Sequence, residues 1–481
     1  MIPKQAYLIV DVGTGNVRVA VAEQDGNILG VESEDARYEK DLHYPESIYF
    51  SPDALWQQII DLAKKIFEKT SPVNITAVTA TSQREGIVVI DHTGNSLIGM
   101  PNIDHRGREW EDLIADKHGV YQLTGRYPTS LFSALKLVGL RNRIPETWQR
   151  VHTFMSISDW VLFKFSGVIG YEHSQACETL LYDVAAKGWS ADLCKIFDLN
   201  PSLLAPLHDC GSLQGKILPE IAAIFGLSNN AVVIVAGSDT QLAIMSMCPS
   251  VQDIVVVSGT TTPVIKITGT YILDEAERTW TSRHTNGNNF LLEANAGVTG
   301  LNYQRLKEIF YPNEPYALIE EEVANIRDAQ CVAALGSLLA DEKSPLIRGG
   351  FVFNTPVSHE LRRGHFVFAT LWDIACSIFE NYKSLCEVVP HEEDHIWACG
   401  GGVQSRLLRQ FLANLLNKKV RIRDNYRQAS AVGCVFACNQ ALGIASNMPA
   451  VLEEISPDQS MAHEHLYHEW KKTRATFKTA S

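Results

Sequence analysis

Four residues that suit a phosphate group and its metal ion fall within a short stretch near the start of the chain: Asp11, Gly13, Thr14 and Arg18. Glycine lets the backbone approach a ligand closely, and consecutive N–H groups in a tight turn bind anions. A carboxylate beside such a turn suits hydrated Mg²⁺. The stretch therefore predicts a nucleotide-phosphate site with its metal. Taken alone, an ordinary hairpin with glycines for turn geometry is an equally good interpretation.

The flanking sequence places this motif at the tip of a hairpin. The apolar run from Tyr7 to Val10 is typical of a strand buried on both faces. From Val17 to Val21, valines alternate with Arg18 and Ala20, which is typical of a returning strand. We therefore expect Asp11 beside the turn, where the first strand ends.

A second strand–turn–strand pattern lies about half a chain length later. The stretch from Asp253 to Ile267 has a Gly-Thr-Thr turn at Gly259, Thr260 and Thr261 between two apolar segments. One such hairpin opening each half predicts two related domains, 1–249 and 250–481, which face each other across a cleft. Small-molecule sites commonly lie between domains.

Polar residues follow a predicted strand in the first half. Gln83, Arg84 and Glu85 lie between apolar segments that end near Thr81 and begin at Gly86. They are candidates for contacts with a polar substrate, with a solvated loop as the alternative. Asp104, in a second mixed-charge cluster, is a further candidate for binding hydroxyl groups, although a surface network explains that cluster equally well.

Asp239 follows the apolar segment that ends at Val235 and precedes a helical pattern over 241–247. A carboxylate at the carboxyl end of a strand can act as a general base. Spacing alone favours the simpler interpretation, in which this residue caps the helix.

A third glycine-rich turn follows the apolar segment Ile396 to Cys399. Gly400, Gly401 and Gly402 precede a predicted helix over 404–416, and such a turn lets a nucleotide lie against the backbone. The dinucleotide fingerprint GxGxxG and its downstream acidic residue do not occur here, which disfavours an NAD-dependent enzyme.

Composition narrows the class of protein. A net charge of −13 argues against a nucleic-acid partner bound by general electrostatics. The ten scattered cysteines, without a CxxC pair, favour buried free thiols and a reducing cytoplasm. No apolar run is long enough to span a membrane, and the early first strand leaves no room for a signal peptide. The patterns also predict helices over 52–69 and 429–442, and an exposed helix and tail over 456–481.

Together these motifs resemble the FGGY carbohydrate kinases over essentially the whole chain. One departure is Gly139, which stands where that family usually has tryptophan. The matching motifs, in chain order, are Asp11-Val12-Gly13-Thr14, Gln83-Arg84-Glu85, Ser133-Ala134-Leu135-Lys136, Asp239, Gly259-Thr260-Thr261, and Gly400-Gly401-Gly402 with Gln404 and Ser405.

The resemblance implies an α/β fold of two ribonuclease-H-like, actin-like ATPase domains. It also implies transfer of the γ-phosphoryl group of ATP to a small sugar, ketose or polyol, with Mg²⁺, and Asp239 as the catalytic base. The implied site residues are Gly13, Thr14, Arg18, Gly259, Thr260, Thr261, Gly401, Gly402 and Ser405 for the nucleotide; Gln83, Arg84, Glu85, Asp104 and Asp239 for the substrate; and Asp11 and Asp239 for the metal.

Several segments look most like the autoinducer-2 kinases within this family, so the autoinducer-2 precursor is the first candidate substrate. A xylulose- or ribulose-type pentulose kinase is the alternative. A non-catalytic, actin-like ATP-binding switch is the alternative from another class, disfavoured by Gln83-Arg84-Glu85 and Asp239. A homodimer is left open. The matching segments are Arg84 to Val88, Asn102 to Arg106, Ser156 to Trp160 and Asp239 to Leu242.

Overall fold

The structure is a computed structural model that describes residues 4–70, 72–326, 329–342, 346–458 and 463–479. Parts of both predicted domains, including residues 1–3, 459–462 and 480–481, lie outside the described residues.

The first half of the chain is built on a six-stranded sheet. Its first strand is buried from Ala6 to Val12, as expected for a strand covered on both faces. The second strand, Asn16–Glu23, runs antiparallel to it and pairs antiparallel with the third, Ile28–Asp35. On its other side the first strand pairs parallel with the fourth, Val73–Ser82, which pairs parallel with the fifth, Val232–Ser238; Leu213–Lys216 is an additional edge strand outside this five-stranded core. In spatial order the strands are Leu213–Lys216, Val232–Ser238, Val73–Ser82, Lys4–Val12, Asn16–Glu23 and Ile28–Asp35.

The second half repeats this arrangement in a seven-stranded sheet. Its first strand, Ile254–Val257, pairs antiparallel with the second, Thr261–Thr268, which pairs antiparallel with the third, Phe290–Val298. The first strand also pairs parallel with the fourth, His395–Cys399, which pairs parallel with the fifth, Lys419–Arg423; Trp280–Arg283 and Val451–Ile455 are additional edge strands. In spatial order the strands are Trp280–Arg283, Phe290–Val298, Thr261–Thr268, Ile254–Val257, His395–Cys399, Lys419–Arg423 and Val451–Ile455. Two sheets with the same five-stranded core confirm the predicted fold class of two ribonuclease-H-like domains.

Helices cover both sheets, and several begin and end where the sequence predicts. The helix Pro52–Lys69 has Ser51 as its N-cap, whose hydroxyl accepts the Ala54 N–H, and buries the predicted stripe that includes Leu55 and Ile59. The α-helices are Pro52–Lys69, Lys117–Thr124, Ser133–Arg143, Pro145–Trp148, Ile157–Ser166, His173–Ala176, Ala191–Ile196, Pro219–Phe225, Asp239–Met247, Gly300–Phe310, Tyr316–Ala324, Arg363–Val388, Arg406–Leu416, Ala429–Leu442 and His463–Thr479.

Smaller elements complete the fold. A three-stranded sheet carries its own apolar core, which includes Phe132, Phe154 and Tyr171. Its strands are Ser96–Met100, Ile87–Ile90 and Thr153–Ser156, and the two-stranded pairs are Glu39–Lys40 with Ile48–Tyr49, Tyr171–Glu172 with Leu207–His208, Tyr182–Asp183 with Gly188–Trp189, and Cys331–Ala334 with Gly350–Phe353. Short 3-10 helices are Arg108–Leu113, Pro201–Leu203, Gly401–Gln404 and Tyr426–Gln428.

Two helices cross between the halves. Helix Ala429–Leu442 packs on the first sheet against Tyr7 and Ile234, whereas helix Asp239–Met247 adds Ile244 to the core of the second half. A Cβ at Gly433 would lie 2.1 Å from the Leu242 carbonyl oxygen, so only glycine permits this close crossing. Each half therefore contributes to the core of the other.

The last helix corrects one expectation. The sequence predicts an exposed helix and tail over 456–481, yet Trp470 of helix His463–Thr479 is fully buried and its indole N–H donates to the Asp373 carboxylate at 2.7 Å. Arg474 is also buried and binds Glu342. The many charged residues around these two positions conceal the buried face of the helix.

Two further findings bear on composition. All ten cysteines are free thiols. No helix in the described part of the chain has the length and apolar character needed to cross a membrane.

Gly139 contacts the Arg106 backbone so closely that a Cβ would lie 2.6 Å from the Arg106 oxygen, which explains why a tryptophan does not fit there in this chain.

Candidate functional site

A cleft of about 1090 Å³ opens between the two sheets. The ends of the first, fourth and fifth strands of both sheets meet at this cleft, because parallel strands place their carboxyl ends at the same edge. The residues predicted for the site that line it are Asp11, Gly13, Thr14, Arg18, Gln83, Arg84, Glu85, Asp239, Gly259, Thr260, Thr261 and Gly401.

The first turn has the predicted hairpin geometry. Asp11 pairs in register with Arg18, and the Gly13 N–H donates to the Asn16 carbonyl at 2.9 Å. The Asp11 carboxylate is largely buried, lies 3.8 Å from the Arg18 guanidinium, and accepts a hydrogen bond from Ser430 of the second half at 3.1 Å. A carboxylate is therefore held at the base of the turn by residues from both halves.

Asp239 lies at the first position of helix Asp239–Met247, and Ser238 occupies the capping position. Its carboxylate accepts the Thr240 N–H at 2.6 Å and lines the cleft. Burial and the nearby charge of Asp11 raise the pKa of Asp239 to about 6. A carboxylate with this pKa is a suitable proton acceptor near neutral pH.

Gln83 joins the first turn to the predicted substrate residues. Its side-chain amide donates to the Tyr38 hydroxyl at 3.1 Å, and the Asn102 N–H donates to its oxygen at 3.0 Å. The Tyr38 hydroxyl donates to the Thr14 carbonyl, and the Asn102 amide donates to the Thr14 hydroxyl. This closed ring of hydrogen bonds holds the phosphate turn against the neighbouring strand end.

Arg84 crosses the floor of the cleft. Its guanidinium donates two hydrogen bonds, of 2.6 and 2.9 Å, to the carboxylate of Glu293 in the second half. Burial raises the pKa of Glu293, but the charge and hydrogen bonds of Arg84, with the charge of Arg126 and a hydrogen bond from Asn295, together hold this pKa below its usual range.

Glu85 has a left-handed backbone with φ of 61°, which is uncommon for a residue other than glycine. Burial and the nearby Glu178 raise the pKa of Glu85 to about 8. The chain therefore presents an acid that is mostly protonated at neutral pH to the cleft, and strain of this kind is typical of functional sites.

Asp104 does not line the cleft. Its side chain is fully buried, one oxygen accepts the Ile48 N–H at 2.8 Å, and the other accepts Arg106 at 2.7 Å. The carboxylate already has partners inside the protein, so the prediction that it contacts substrate directly is corrected to a structural ion pair.

The second turn approaches a helix start closely. The Gly259 N–H donates to the Thr261 carbonyl, and a Cβ at Gly300 would lie 2.0 Å from the Gly259 oxygen. Beneath the turn, the hydroxyls of Thr262 and Thr299 are hydrogen-bonded at 2.6 Å. The turn itself lines the cleft at Gly259, Thr260 and Thr261.

The third turn is only partly as predicted. Gly400, with φ of 95°, and Gly401 line the cleft. Gly402 instead packs against Ser258, and its N–H donates to the Ser258 carbonyl at 2.9 Å. Ser405 is buried as the N-cap of helix Arg406–Leu416, where its hydroxyl accepts the Leu408 N–H. Neither residue belongs to the cleft lining, which corrects their predicted direct contact with the nucleotide.

The cleft includes residues that the sequence reasoning missed, namely Asn102, Trp280, Glu293, Asn295, Arg427 and Ser430. A signal existed for Glu293, because it is a charged residue in the otherwise apolar strand Phe290–Val298 and is almost fully buried. Ser430 carried no such signal, because small polar residues are common at helix starts.

The carboxylates of Asp11 and Asp239 supply the hard oxygen ligands that Mg²⁺ prefers. The charge of Asp11 acts on the pKa of Asp239, which indicates that the two carboxylates are close enough to interact. Within the described residues, no group of three or more His, Cys, Asp or Glu side chains forms a metal site by itself. Two carboxylates with phosphate oxygens and water are the usual protein contribution to a Mg²⁺-nucleotide site.

Comparison with known proteins gives a family match in each half. The model for the N-terminal domain of the FGGY family of carbohydrate kinases matches residues 6–246, and the model for the C-terminal domain matches residues 314–442.

Similar proteins cover nearly the whole chain. A Bacillus subtilis (strain 168) protein named "Putative sugar kinase YoaC" is 49% identical over 98% of both chains. An autoinducer-2 kinase of Escherichia coli O9:H4 (strain HS) is 23% identical over 94% of this chain and 89% of its own. The crystal structure of a ligand-bound xylulose kinase from Lactobacillus acidophilus shares the fold with a TM-score of 0.82, at 16% identity, over 99% of this chain and 97% of its own.

Proposed function

The chain belongs to the FGGY family of carbohydrate kinases, which are ATP-dependent phosphotransferases, and we propose that it transfers the γ-phosphoryl group to a hydroxyl of a small ketose or polyol at this cleft. The observation that carries the proposal is the pairing of Asp239, an acid with a pKa of about 6, with glycine-lined turns across the same cleft. Phosphoryl transfer depends mainly on positioning and charge neutralisation, which such a cleft can provide.

Asp239 is proposed as the general base that accepts the proton of the attacking hydroxyl. A base of this kind contributes roughly 10²–10⁴-fold to the rate. Mg²⁺, held by Asp11 through water and by Asp239, would neutralise charge on the transferred phosphoryl group. Ser430 and Arg18 hold the Asp11 carboxylate in place for this role.

The nucleotide is proposed to lie along the two glycine-rich turns of the second half. Backbone N–H groups at Gly259 and Thr260, with Thr14 across the cleft, would bind the phosphates. Gly401 would lie along the adenosine, because the neighbouring Gly400 keeps the turn flat and free of side chains.

The sugar is proposed to bind at Gln83, Arg84 and Glu85. Arg84 is neutralised by Glu293, and Glu85 is mostly protonated at neutral pH, so these groups favour an uncharged polyhydroxy compound. The autoinducer-2 precursor is our first candidate, supported by the matching segments and by the 23% identical autoinducer-2 kinase. A pentulose such as D-xylulose is the alternative, supported by the fold shared with a xylulose kinase.

The remaining assignments are proposals of the same kind. We assign substrate binding to the domain 1–249 and most nucleotide contacts to the domain 250–481. Ten free thiols and the use of ATP support a reducing cytoplasmic location.

The test is ADP release from the purified protein with Mg-ATP and one of D-xylulose, L-ribulose, L-xylulose, gluconate, glycerol, erythritol or the autoinducer-2 precursor. Release with the precursor alone supports the first candidate, and release with a pentulose supports the alternative. Release with no member, while Mg-ATP still binds, would contradict both substrate assignments.

A further inference from the structure

The Arg84–Glu293 ion pair joins the two halves at the floor of the cleft. Arg84 follows the fourth strand of the first sheet, and Glu293 lies in the strand Phe290–Val298 of the second. Both side chains are at least nine-tenths buried. The pair is bidentate, so the guanidinium plane has one orientation relative to the second sheet.

Glu293 is also hydrogen-bonded to residues next to the second glycine-rich turn. The Asn295 amide donates to Glu293 Oε1 at 3.0 Å, the oxygen that accepts the 2.9 Å hydrogen bond from Arg84. The Gly297 N–H in turn donates to the Asn295 side-chain oxygen at 2.8 Å. The next residue, Val298, pairs in register with Thr261 of the phosphate turn. Three consecutive hydrogen-bonded links, from Arg84 through Glu293 and Asn295 to Gly297, followed by the strand pairing of Val298 with Thr261, thus connect the proposed sugar contact with the second glycine-rich turn.

This set of contacts lies beside the strand Trp280–Arg283, which is hydrogen-bonded to the first half. The Thr281 N–H donates to the Gly125 carbonyl of the first half at 2.9 Å, and Trp280 pairs in register with Glu293. Arg283, two positions after Thr281, donates to the Val184 carbonyl of the first half. A packed joint transmits a displacement because its side chains have no room to absorb it.

The same buried cluster holds a second carboxylate that lacks this connection. Glu178 is bound by Arg126, with 2.9 Å between Arg126 Nε and a Glu178 oxygen, and both residues belong to the first half. Glu178 is fully buried, is not part of the cleft lining, and comes only within 3.9 Å of Arg84. Each of the two glutamates bears one charge close to Arg84, but only Glu293 is bound to the phosphate turn.

We propose that Glu293 is a positioning residue that couples the sugar contact at Arg84 to the ATP phosphate turn at Thr261, through Asn295 and Gly297. The inference rests on the proposed function. It predicts that a change at the sugar contact alters nucleotide affinity although Arg84 does not belong to the nucleotide turns.

The test measures the Kd for Mg-AMPPNP by calorimetry in the absence of sugar, so that it does not depend on knowing the substrate. We expect Glu293→Gln and Arg84→Gln each to weaken binding by about 5-fold or more, the lower end of measured couplings between sites. The double variant should lie within about twofold of either single variant, since residues that act as one unit are not additive. Glu178→Gln removes the same charge from the same cluster and should bind nucleotide like the wild type.

Asn295→Ala supplies the second test, because it interrupts the connection and leaves the Arg84–Glu293 pair intact. If Glu293→Gln fails to fold, the cycle of Arg84→Gln and Asn295→Ala decides: non-additive effects on the Kd support the coupling, and additive effects overturn it. Wild-type-like binding in Glu293→Gln, or equal weakening in Glu178→Gln, also overturns it. Failure of the wild type to bind Mg-AMPPNP would contradict the proposed function itself.

Discussion

The two halves share a five-stranded arrangement, yet the residues at equivalent strand ends differ in chemical type. At the end of the first strand, the first half has Asp11 before its Gly-Thr turn, and the second half has Val257 at the same distance from its Gly-Thr turn. After the fourth strand, Arg84 and Glu85 in the first half correspond to Gly400 to Gly402 in the second. At these two strand ends, the same backbone geometry thus presents charged side chains in the first half and glycine-rich turns in the second.

The fifth strands differ in another way. In the first half this strand leads directly into Asp239, whereas in the second it leads through a short turn to Arg427 and Ser430. Side chains orient a small substrate and accept its proton, while glycine-rich turns leave room for a large nucleotide and offer N–H groups to its phosphates. The comparison shows that the duplicated fold sets the position of the cleft. The residues at the ends of the first, fourth and fifth strands of each half set which chemical groups that half presents to a ligand.

The charged side chains of the first half are tested first, where we expect the largest effect. Asp239→Asn removes the proposed base and should lower kcat by roughly 10²–10⁴-fold, with the active sugar of the panel and ADP release as the measurement. The Kd for Mg-AMPPNP should stay within about twofold, because Asp11 still holds the metal, the asparagine oxygen can replace one carboxylate oxygen, and the glycine-rich turns are unchanged. Asp341→Asn, a change of the same type at the cleft rim, is the control. Turnover above one tenth of the wild-type rate would contradict the assignment.

The glycine-rich turns of the second half are tested with a matched pair of glycines. An alanine Cβ at Gly400 would lie 2.3 Å from the Ser258 carbonyl and would take a φ of 95°, whereas the nearest atom at Gly401 is 3.6 Å away. Gly400→Ala should lower stability by about 1–3 kcal/mol through overpacking. We expect its Kd for Mg-AMPPNP to rise on the order of tenfold, which is 1.4 kcal/mol of binding energy.

Gly401→Ala is the control for stability and should keep the wild-type melting temperature, because the nearest atom to its Cβ would be 3.6 Å away. If Gly400→Ala binds nucleotide as tightly as the wild type, nucleotide binding does not depend on the close approach of this turn.

The pH dependence sharpens the role of Asp239. Its pKa of about 6 predicts that kcat/KM falls about tenfold per unit as the pH drops below 6, because only the ionised form accepts a proton. Because Mg²⁺ at Asp239 would lower this pKa, the shift itself is checked by titrating the metal-free protein, where a pKa near 4 for this carboxyl would contradict it.

Stability should change with the opposite sign. The folded-state pKa of Asp239 lies above its ordinary value of 3.8, so the ionised carboxylate destabilises the folded protein above pH 6. Asp239→Asn should therefore raise the melting temperature at pH 7 to 8, and this gain should shrink as the pH falls from about 6 toward 3.8. An equal melting temperature for both proteins at pH 8 would be inconsistent with this pKa shift.

The smallest effect on catalysis is expected at Asp104, which does not line the cleft. Asp104→Asn leaves Arg106 buried without its ion-pair partner, which costs about 3–5 kcal/mol of stability. In folded molecules the KM for the sugar should stay within about twofold of the wild-type value.

Glu85→Gln, which changes an acid that lines the cleft, is the comparison variant for Asp104→Asn and should raise the KM for the sugar on the order of tenfold. Equal effects of the two changes would return Asp104 to the substrate site.

Local sequence patterns correctly predicted those elements whose stabilising interactions come from residues within the same segment. The helices Pro52–Lys69 and Ala429–Leu442 have the predicted bounds, because apolar periodicity, Ser51 and Pro52 all act within the segment. The hairpin at Asp11 and Gly13 was predicted for the same reason. Short motifs with few allowed geometries are readable without a structure.

Partners distant in the chain explain the errors. The sequence could not show that Asp104 would bind Ile48, that Trp470 would be buried on Asp373, or that Glu293 would reach Arg84 from more than 200 residues away. Each interaction forms only when separate elements pack, so no local pattern indicates it. Ser405 shows a related limit, because a helix cap and a ligand contact have the same sequence signature.

The sequence by itself determined the fold class and the order of the glycine-rich turns, because the motifs that indicate them depend on residue type and short spacing, and the resemblance to the FGGY kinases implied Asp239 as the base. The tertiary structure decided which charged groups face the cleft and which are used internally, because that depends on packing between halves. It also decided the pKa of Asp239, since burial and the charge of Asp11, 228 positions earlier in the chain, act only after the two strand ends meet.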